Sequence, residues 1–270
     1  MKELFDLIET YINKDDYFIV NKGEKSVLVA CFPYRPYENF DKNHGVIDAY
    51  YYTSNESYFL VKSLIEKING LGIKAEFSKE YIKPLVVKAG FGERLKTTLV
   101  AVEKYGTRVV FQAVDLFAKV EKSGNYQTKN RCDGCNKCII ACPNKALEGG
   151  FNRAKCLRNF QDLIDLGSEE DRKAQKNRII GCDTCQRVCP YNENVKEKPA
   201  PQELYEFCRL ENLLLKAREG RKSLVFLEKY VGKNFLRVNR IRRMTINAIL
   251  NSDDENLIEK LTEEEKQGKF

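Results

Sequence analysis

The sequence predicts an α+β protein in three parts, and three observations lead to this prediction. Apolar residues alternate between helical and strand-like spacing up to about residue 127. Eight of the ten cysteines then fall between Cys132 and Cys189, where apolar periodicity is weak. Helical spacing returns from about residue 198. We therefore predict an α/β domain over 1–127, a cysteine-rich domain over 128–197 that a metal must stabilise, and a helical segment over 198–270.

The apolar pattern predicts the individual elements. In the first part it indicates a helix over about 4–12 and a longer helix that ends at Gly70 and Gly72. Strands are predicted at 26–32, ended by Pro33, and at 73–77, 97–102 and 108–114. Two further apolar helical faces are predicted at about 224–231 and 238–249. The acidic tail after Asn251 is expected to fray.

Composition excludes several classes of protein. No segment is apolar over the roughly 20 residues that a membrane helix needs, and the N-terminus does not resemble a signal peptide. We therefore expect a cytoplasmic protein, in which clustered cysteines bind metal rather than form disulfides. The single histidine, His44, excludes a His-rich zinc site and is expected on the surface, in a polar turn. A net charge of +7 is compatible with a polyanionic partner but does not identify one.

The first cysteine motif has the spacing of bacterial ferredoxins. It runs Cys132-x2-Cys135-x2-Cys138-x3-Cys142-Pro143. In such a motif three thiolates bind one [4Fe-4S] cluster, and the fourth reaches a second cluster. Zinc sites more often use two separate pairs of ligands, so a pair of structural zinc sites is the weaker alternative.

A second motif, Cys182-x2-Cys185-x3-Cys189-Pro190, lacks one cysteine, which Cys156 can supply. The crossover rule then divides eight cysteines into two complete sets. Cluster 1 takes Cys132, Cys135, Cys138 and Cys189, and cluster 2 takes Cys142, Cys156, Cys182 and Cys185. Two such clusters suit electron transfer, with a purely structural role as the alternative. Cys31 and Cys208 lie in apolar stretches and are predicted to be buried.

The cysteine region resembles a known family. The run from Ile179 to Asn192, with Cys156 after Lys155, resembles the second cluster motif of epoxyqueuosine reductases. Those enzymes modify tRNA, bind two [4Fe-4S] clusters and cobalamin, and are related to reductive dehalogenases. Weaker resemblance covers Lys25 to Tyr34, Ala89 to Gly92 with Lys96, and Arg240 to Asn251. It implies a nitroreductase-like corrinoid domain, a ferredoxin-like double-cluster domain and C-terminal HEAT-like helices.

The resemblance also implies particular site residues. Gly90, Gly92 and Lys96 would lie near the corrinoid, although a plain tight turn explains the glycines equally well. The general acid of the family, at the same offset before Ala89, corresponds to Glu76. A solvated strand residue is the alternative for Glu76, and Glu80 and Asp48 are rival acids.

The chain departs from the family pattern at two places. Ser57-Tyr58-Phe59 replaces an Asp-Tyr-His, and Glu93-Arg94-Leu95 replaces a Trp-x-Gly. Both departures fall in the part of the chain for which the resemblance implies the corrinoid domain.

Five basic residues form the candidate tRNA surface: Lys233, Arg237, Arg240, Arg242 and Arg243. Basic side chains on a helix can follow a phosphate backbone, although a solvated helix face is the alternative. The resemblance predicts a monomer that takes electrons from a ferredoxin or flavodoxin.

The predicted function is reduction of epoxyqueuosine to queuosine in tRNA, through cobalamin supplied with electrons by the two clusters. One alternative is a related two-cluster reductase without cobalamin that acts on another substrate. A non-enzymatic electron-transfer module is the other alternative, and it leaves the N-terminal 127 residues unexplained.

Overall fold

The structure, a computed structural model, describes residues 1–38, 40–122, 131–162 and 168–268. Contacts divide the chain into two compact units. The first unit comprises Met1–Tyr34, Thr53–Cys135 and Cys189–Val195, and the second comprises Arg35–Tyr52, Asn136–Val188 and Lys196–Phe270. The predicted boundary between 127 and 128 lies outside the described residues. The division into three parts along the chain therefore stays a prediction.

The N-terminal half contains both helices and strands, and helices dominate the C-terminal half. The strands are β1 (Tyr17–Asn21), β2 (Ser26–Pro33), β3 (Val46–Ile47), β4 (Ala75–Phe77), β5 (Glu93–Arg94), β6 (Val100–Ala101), β7 (Val109–Leu116) and β8 (Arg178–Ile180). The helices are α1 (Lys2–Tyr11), α2 (Ala49–Gly70), α3 (Ile82–Lys88), α4 (Lys137–Ala141), α5 (Leu157–Phe160), α6 (Glu169–Gln175), α7 (Thr184–Arg187), α8 (Gln202–Phe207), α9 (Leu210–Glu219), α10 (Glu228–Val231), α11 (Val238–Leu250), α12 (Glu255–Glu259) and α13 (Glu263–Lys266).

A four-stranded antiparallel sheet organises the first unit. Its strands lie in the order β1-β2-β7-β4, so β2 and β7 are central. Side chains of β2 are buried on both faces, as expected for an unbroken apolar run. One face packs with α1 and α2 through residues such as Ile8 and Leu64. The other packs with α3 and β6 through residues such as Val86 and Val100. Apolar layers therefore cover both faces of the sheet.

The second unit is mainly helical and contains a short parallel pair, β3 with β8. Helix α11 is its central element, packing against α9, α6 and β8. Nine of the thirteen residues of α11 are buried, including Ile241 and Ile249. The apolar spacing at 238–249 therefore predicted a real core helix. Among the described residues, no helix is both long and apolar enough to cross a lipid bilayer.

Several predicted elements are confirmed. The strand predicted at 26–32 is β2, the one predicted at 108–114 is β7, and the helix ending at Gly70 is α2. The strand predicted at 97–102 shrinks to β6, because residues 95–98 form a turn in which the Thr98 N–H donates to the Leu95 carbonyl. Sequence spacing missed β1, which pairs with β2 along its whole length.

The acidic tail does not fray, contrary to the sequence prediction. It forms α12 and α13, and Glu265 is fully buried. Its carboxylate accepts hydrogen bonds from Arg218 at 2.5 Å and Arg242 at 2.8 Å. Burial alone would raise the pKa of the Glu265 carboxyl, but these hydrogen bonds outweigh it and lower the pKa to about 2. Two arginines from α9 and α11 therefore anchor the tail, a contact invisible to local sequence patterns.

The lowered pKa of Glu265 predicts a pH-dependent stability. Because this pKa lies below its value in the unfolded chain, the stabilisation is complete above about pH 4.5 and is lost as the pH falls towards 2. At pH 6 we expect Glu265→Gln to lower the free energy of unfolding by about 2 kcal/mol. At pH 3 the difference from wild type should fall to less than half of this value. Urea unfolding of both proteins at both pH values measures it, and a difference independent of pH would contradict the assignment.

His44 is buried rather than on the surface, a second correction to the sequence prediction. It is 6% exposed and stacks on Tyr205 with ring centroids 3.9 Å apart. Its Nδ1 lies 2.8 Å from the Asp41 carboxylate. The polar turn predicted from local composition is therefore covered by α8, which is distant in sequence.

Candidate iron–sulfur centre

In the first unit, a tight turn carries two of the predicted cluster 1 ligands. The Cys135 N–H donates to the Cys132 carbonyl at 3.2 Å. Gly134 has φ +67, a left-handed conformation that residues with a side chain rarely adopt. The glycine between the two cysteines therefore permits the tight turn that brings them close together.

Arg131 joins this turn to the segment that carries Cys189. Its main-chain N–H donates to the Tyr191 hydroxyl at 3.2 Å, and its guanidinium forms an ion pair with Glu193 at 2.7 Å. It also donates to the Pro190 carbonyl. These contacts hold the neighbours of Cys132 and of Cys189 together, as the predicted crossover requires. The place of Cys138, which belongs to the second unit, stays a prediction from the spacing.

Asn192 is a structural residue that the ligand analysis did not single out. Its side chain accepts from the Thr107 N–H at 2.8 Å and donates to the Thr107 hydroxyl at 2.9 Å. A side chain on Gly106 would meet the Asn192 Oδ1 atom at 2.1 Å. Asn192 thereby fixes the turn after Cys189 to the loop that precedes β7. Its position in the Pro190-Tyr191-Asn192 run was the only sequence signal for this role.

In the second unit, the four predicted cluster 2 ligands lie close together. Burial raises the pKa of the Cys185 thiol well above its usual range, and Cys182, Cys156, Cys138 and Cys142 raise it further. Three of these four neighbours are the other predicted ligands of cluster 2. The fourth, Cys138, is predicted for cluster 1. The short helices α4, which contains Cys138, and α7, which contains Cys185, pack together.

The cysteine spacing predicts a four-iron cluster rather than a single zinc ion at these thiols. Zinc would draw its sulfur ligands to about 2.3 Å from a single centre. A [4Fe-4S] cube instead offers a separate iron atom to each thiolate, so its ligands stand further apart. The Ala146 N–H also donates to Cys142 Sγ at 3.2 Å, a contact typical of cluster ligands.

A buried glutamine joins the two chain segments that supply cluster 2. Gln161, which is 1% exposed, donates to the Gly181 carbonyl at 2.9 Å and accepts from the Gly181 N–H at 2.8 Å. Gly181 immediately precedes Cys182, and Gln161 follows the helix α5 that Cys156 caps. Gly181 has φ +94, and a side chain there would meet Asp48 at 2.5 Å. The two Gln161–Gly181 hydrogen bonds, called the glutamine joint below, therefore connect the segment that carries Cys156 with the one that carries Cys182.

The predicted acid Glu76 lies exposed on β4. It is paired in register with Asp115, which forms a 2.6 Å ion pair with Lys25. The rival Glu80 lies 3.7 Å from the same lysine. The other rival, Asp48, lines a small cavity in the second unit together with Cys182. Asp48 is thus the candidate acid that shares a cavity with a predicted cluster ligand.

The three predicted corrinoid residues have local roles in the structure. Gly90, with φ +66, ends α3 through a hydrogen bond to the Val87 carbonyl. A side chain on Gly92 would meet the Ala101 carbonyl at 2.6 Å, so β6 occupies the space beside it. Lys96 contacts the Cys132–Cys135 turn. Their placement near a corrinoid stays a prediction from the resemblance.

Three of the five basic residues predicted to bind tRNA are engaged within the protein. Arg243 is 1% exposed and donates to the Phe160 and Gln161 carbonyls. Arg240 is buried in an ion pair with Asp162 at 2.5 Å, and Arg242 binds Glu265. The interpretation of one basic helix face is therefore corrected, because Arg240 and Arg243 are themselves buried and Arg242 binds the buried Glu265. Lys233 and Arg237 are exposed.

Comparison with known proteins agrees with the geometry of the site. Residues 131–192 match a family described as a 4Fe-4S double cluster binding domain. The epoxyqueuosine reductase of Listeria monocytogenes is 33% identical over 133 residues, which is 48% of this chain and 35% of that protein. The Bacillus subtilis epoxyqueuosine reductase is 28% identical over 180 residues, 65% of this chain and 46% of that protein. The chain thus spans about a third to a half of these curated relatives.

Solved structures extend the likeness to most of the chain. Epoxyqueuosine reductase from Bacillus subtilis, with its catalytic aspartate loop swung out of the active site, superposes with a TM-score of 0.71 at 22% identity, covering 88% of this chain and 68% of that one. The Streptococcus thermophilus enzyme gives 0.69 at 22% identity, covering 97% and 77%. An epoxyqueuosine reductase with a modified tRNA-Tyr stem loop gives 0.71 at 19% identity, covering 86% and 66%. The chain therefore resembles the epoxyqueuosine reductases in sequence and shares their fold, around a 4Fe-4S double cluster binding domain.

Proposed function

We propose that this protein is an iron–sulfur oxidoreductase that reduces epoxyqueuosine to queuosine in tRNA. The observation that supports this most directly is the group of thiols around Cys185, which contains the complete predicted ligand set of cluster 2. It lies within the segment that matches the double-cluster family, in a chain with the fold of epoxyqueuosine reductases. We further propose a nitroreductase-like corrinoid domain and C-terminal HEAT-like helices. The protein would act in the cytoplasm as a monomer supplied by a ferredoxin or flavodoxin.

The proposed reaction defines what the protein must provide. Converting an epoxide into an alkene and water consumes two electrons and two protons. The eight cysteines hold the clusters that relay the electrons. Cobalamin, when bound, would supply the low-potential reducing centre that acts on the epoxide. The protein's own contribution is to orient the substrate and to protonate the departing oxygen.

The proton donor is proposed from the three carboxylates Glu76, Glu80 and Asp48. Glu76 is our proposed acid from its offset before Ala89, and Asp48 is the rival that lines a cavity with Cys182. An acid that protonates the departing oxygen should be indispensable for turnover but not for cluster assembly. Glu76→Gln or Asp48→Asn should therefore abolish turnover and keep iron bound, and the variant that retains full turnover identifies the carboxylate that does not act.

Binding of tRNA is proposed to involve the two exposed basic residues, Lys233 and Arg237. Contacts with phosphates weaken as salt rises, because binding releases condensed counterions. Arg240 and Arg242 would support this surface from within, through Asp162 and Glu265 respectively. In the comparison, the epoxyqueuosine-modified tRNA stem loop was bound by the similar protein.

One experiment tests the proposed function in two steps. The protein is purified without oxygen, loaded with iron and sulfide, and titrated with cob(II)alamin while its EPR spectrum is recorded. It is then reduced and incubated with tRNA containing epoxyqueuosine, and nucleosides are identified by mass spectrometry. We expect a changed cobalt spectrum and formation of queuosine. The absence of both, in protein with its full iron content, would exclude this function.

A second candidate is a two-cluster reductase that lacks cobalamin and acts on another substrate. The departures from the family pattern at Ser57-Tyr58-Phe59 and at Glu93-Arg94-Leu95 favour it. The same experiment separates the candidates. Full iron content with no cobalt spectral change would favour this second candidate, and a cobalt change without queuosine would indicate a corrinoid enzyme with another substrate.

A further inference from the structure

Lys96 occupies the turn between β5 and β6 and directs its main-chain N–H at a cluster ligand. The turn is closed by the Thr98 N–H, which donates to the Leu95 carbonyl at 2.8 Å. Lys96 is the second residue of this turn, and its N–H takes no part in the Thr98–Leu95 hydrogen bond. The Lys96 N–H instead donates to Cys132 Sγ, with a separation of 3.5 Å.

The side chain of Lys96 reaches the same turn from its other end. Its Nζ donates to the Cys135 carbonyl at 2.7 Å. One residue thus contacts both cysteines of the Cys132–Cys135 turn, through its main chain and its ammonium group. The ammonium is held at the backbone of the cluster turn.

The hairpin that carries Lys96 also contacts the other side of the predicted cluster 1. The Tyr191 hydroxyl forms a hydrogen bond with the side chain of Glu93 in β5. Tyr191 lies two residues after Cys189 and accepts the Arg131 N–H. The short β5–β6 hairpin therefore contacts two segments of the first unit: the Cys132–Cys135 turn and the segment that follows Cys189.

A hydrogen bond or a positive charge at a cluster thiolate changes its electron affinity. A [4Fe-4S] cluster with four thiolates is anionic, and it gains a further negative charge when reduced. Hydrogen bonds to sulfur and nearby positive charge stabilise the more negative state, so they raise the reduction potential. We propose that Lys96 is a positioning residue of cluster 1 that raises its reduction potential through these two contacts. This inference rests on the proposed clusters and is independent of the substrate.

The test is a redox titration of cluster 1 followed by EPR. The Cys156→Ala background removes cluster 2, so that one cluster is titrated. Within it, Lys96→Met removes the ammonium, Lys96→Gln keeps a hydrogen-bond donor without charge, and Lys96→Arg keeps the charge. Lys62→Met, at an exposed position of α2, is the matched control for loss of one positive charge.

We expect Lys96→Met and Lys96→Gln to shift the reduction equilibrium by up to about tenfold towards the oxidised cluster, or about 59 mV for one electron. Lys96→Arg and Lys62→Met should stay close to the parent potential. If Lys96→Met assembles no cluster, the Gln variant carries the comparison. Unchanged potentials in loaded Met and Gln variants would overturn the inference, even if the clusters are present. A parent protein that binds no iron would overturn the cluster proposal itself.

Discussion

Replacing Cys156 with alanine is expected to remove about half of the iron, leaving about four atoms of about eight per chain. Cys156 caps α5 and is one of the thiols that raise the pKa of Cys185. Without it, cluster 2 loses one of four ligands and one of its iron atoms becomes exposed. Iron and acid-labile sulfide assays on anaerobically loaded protein, together with EPR of the reduced state, measure the effect.

Cys208→Ala is the matched control for this experiment. Cys208 is fully buried, and burial raises the pKa of its thiol to about 12. A buried neutral thiol of this kind is inert packing rather than a ligand. The Cys208 variant should therefore retain all of its iron. Full iron content in the Cys156 variant as well would show that the division of ligands between the clusters is wrong.

Gln161→Leu is the substitution outside the cysteines with the largest expected effect. It leaves both the N–H and the carbonyl of Gly181 buried without their partner, at about 1–3 kcal/mol for each group. The loop that presents Cys182 then separates from the segment that presents Cys156. We expect the free energy of unfolding of the metal-free protein to fall by about 2–4 kcal/mol. Iron bound after loading should approach that of the Cys156 variant, with cluster 1 retained.

The control for Gln161 is Gln202→Leu, which removes a glutamine from an exposed position of α8. It should change the free energy of unfolding by no more than about 0.5 kcal/mol and leave the iron content unaltered. If Gln161→Leu behaves like this control in both measurements, the glutamine joint does not organise cluster 2.

The sequence predicted the parts of this protein that follow from local spacing. The apolar run of β2, the helical faces of α2 and α11, and the motif spacing around Cys185 each encode their structure within a few residues of chain. The spacing assigned Cys142, Cys156, Cys182 and Cys185 to cluster 2, and these thiols lie close together in the structure. The segments that carry Cys156 and Cys182 are joined by the Gln161–Gly181 hydrogen bonds, which local spacing does not predict. The burial of Cys31 and Cys208 is confirmed as well.

The features that sequence analysis missed depend on partners far along the chain. The sequence predicted a solvent-facing charge at Arg243. Its hydrogen-bond acceptors, the Phe160 and Gln161 carbonyls, lie more than 80 residues away in the chain. The tail that contains Glu265 was expected to fray, since its partner Arg218 lies 47 residues away in the sequence and local patterns do not show the contact. In each case a tertiary contact determines the role of the residue, and the local sequence does not predict that contact.

The most direct test of the account is the metal and sulfide content of protein purified and loaded without oxygen. Two four-iron clusters predict about eight iron atoms and about eight acid-labile sulfides per chain, with EPR signals of reduced [4Fe-4S] centres. Protein that binds stoichiometric zinc and no sulfide, or that remains colourless after loading, would contradict the assignment of all eight cysteines.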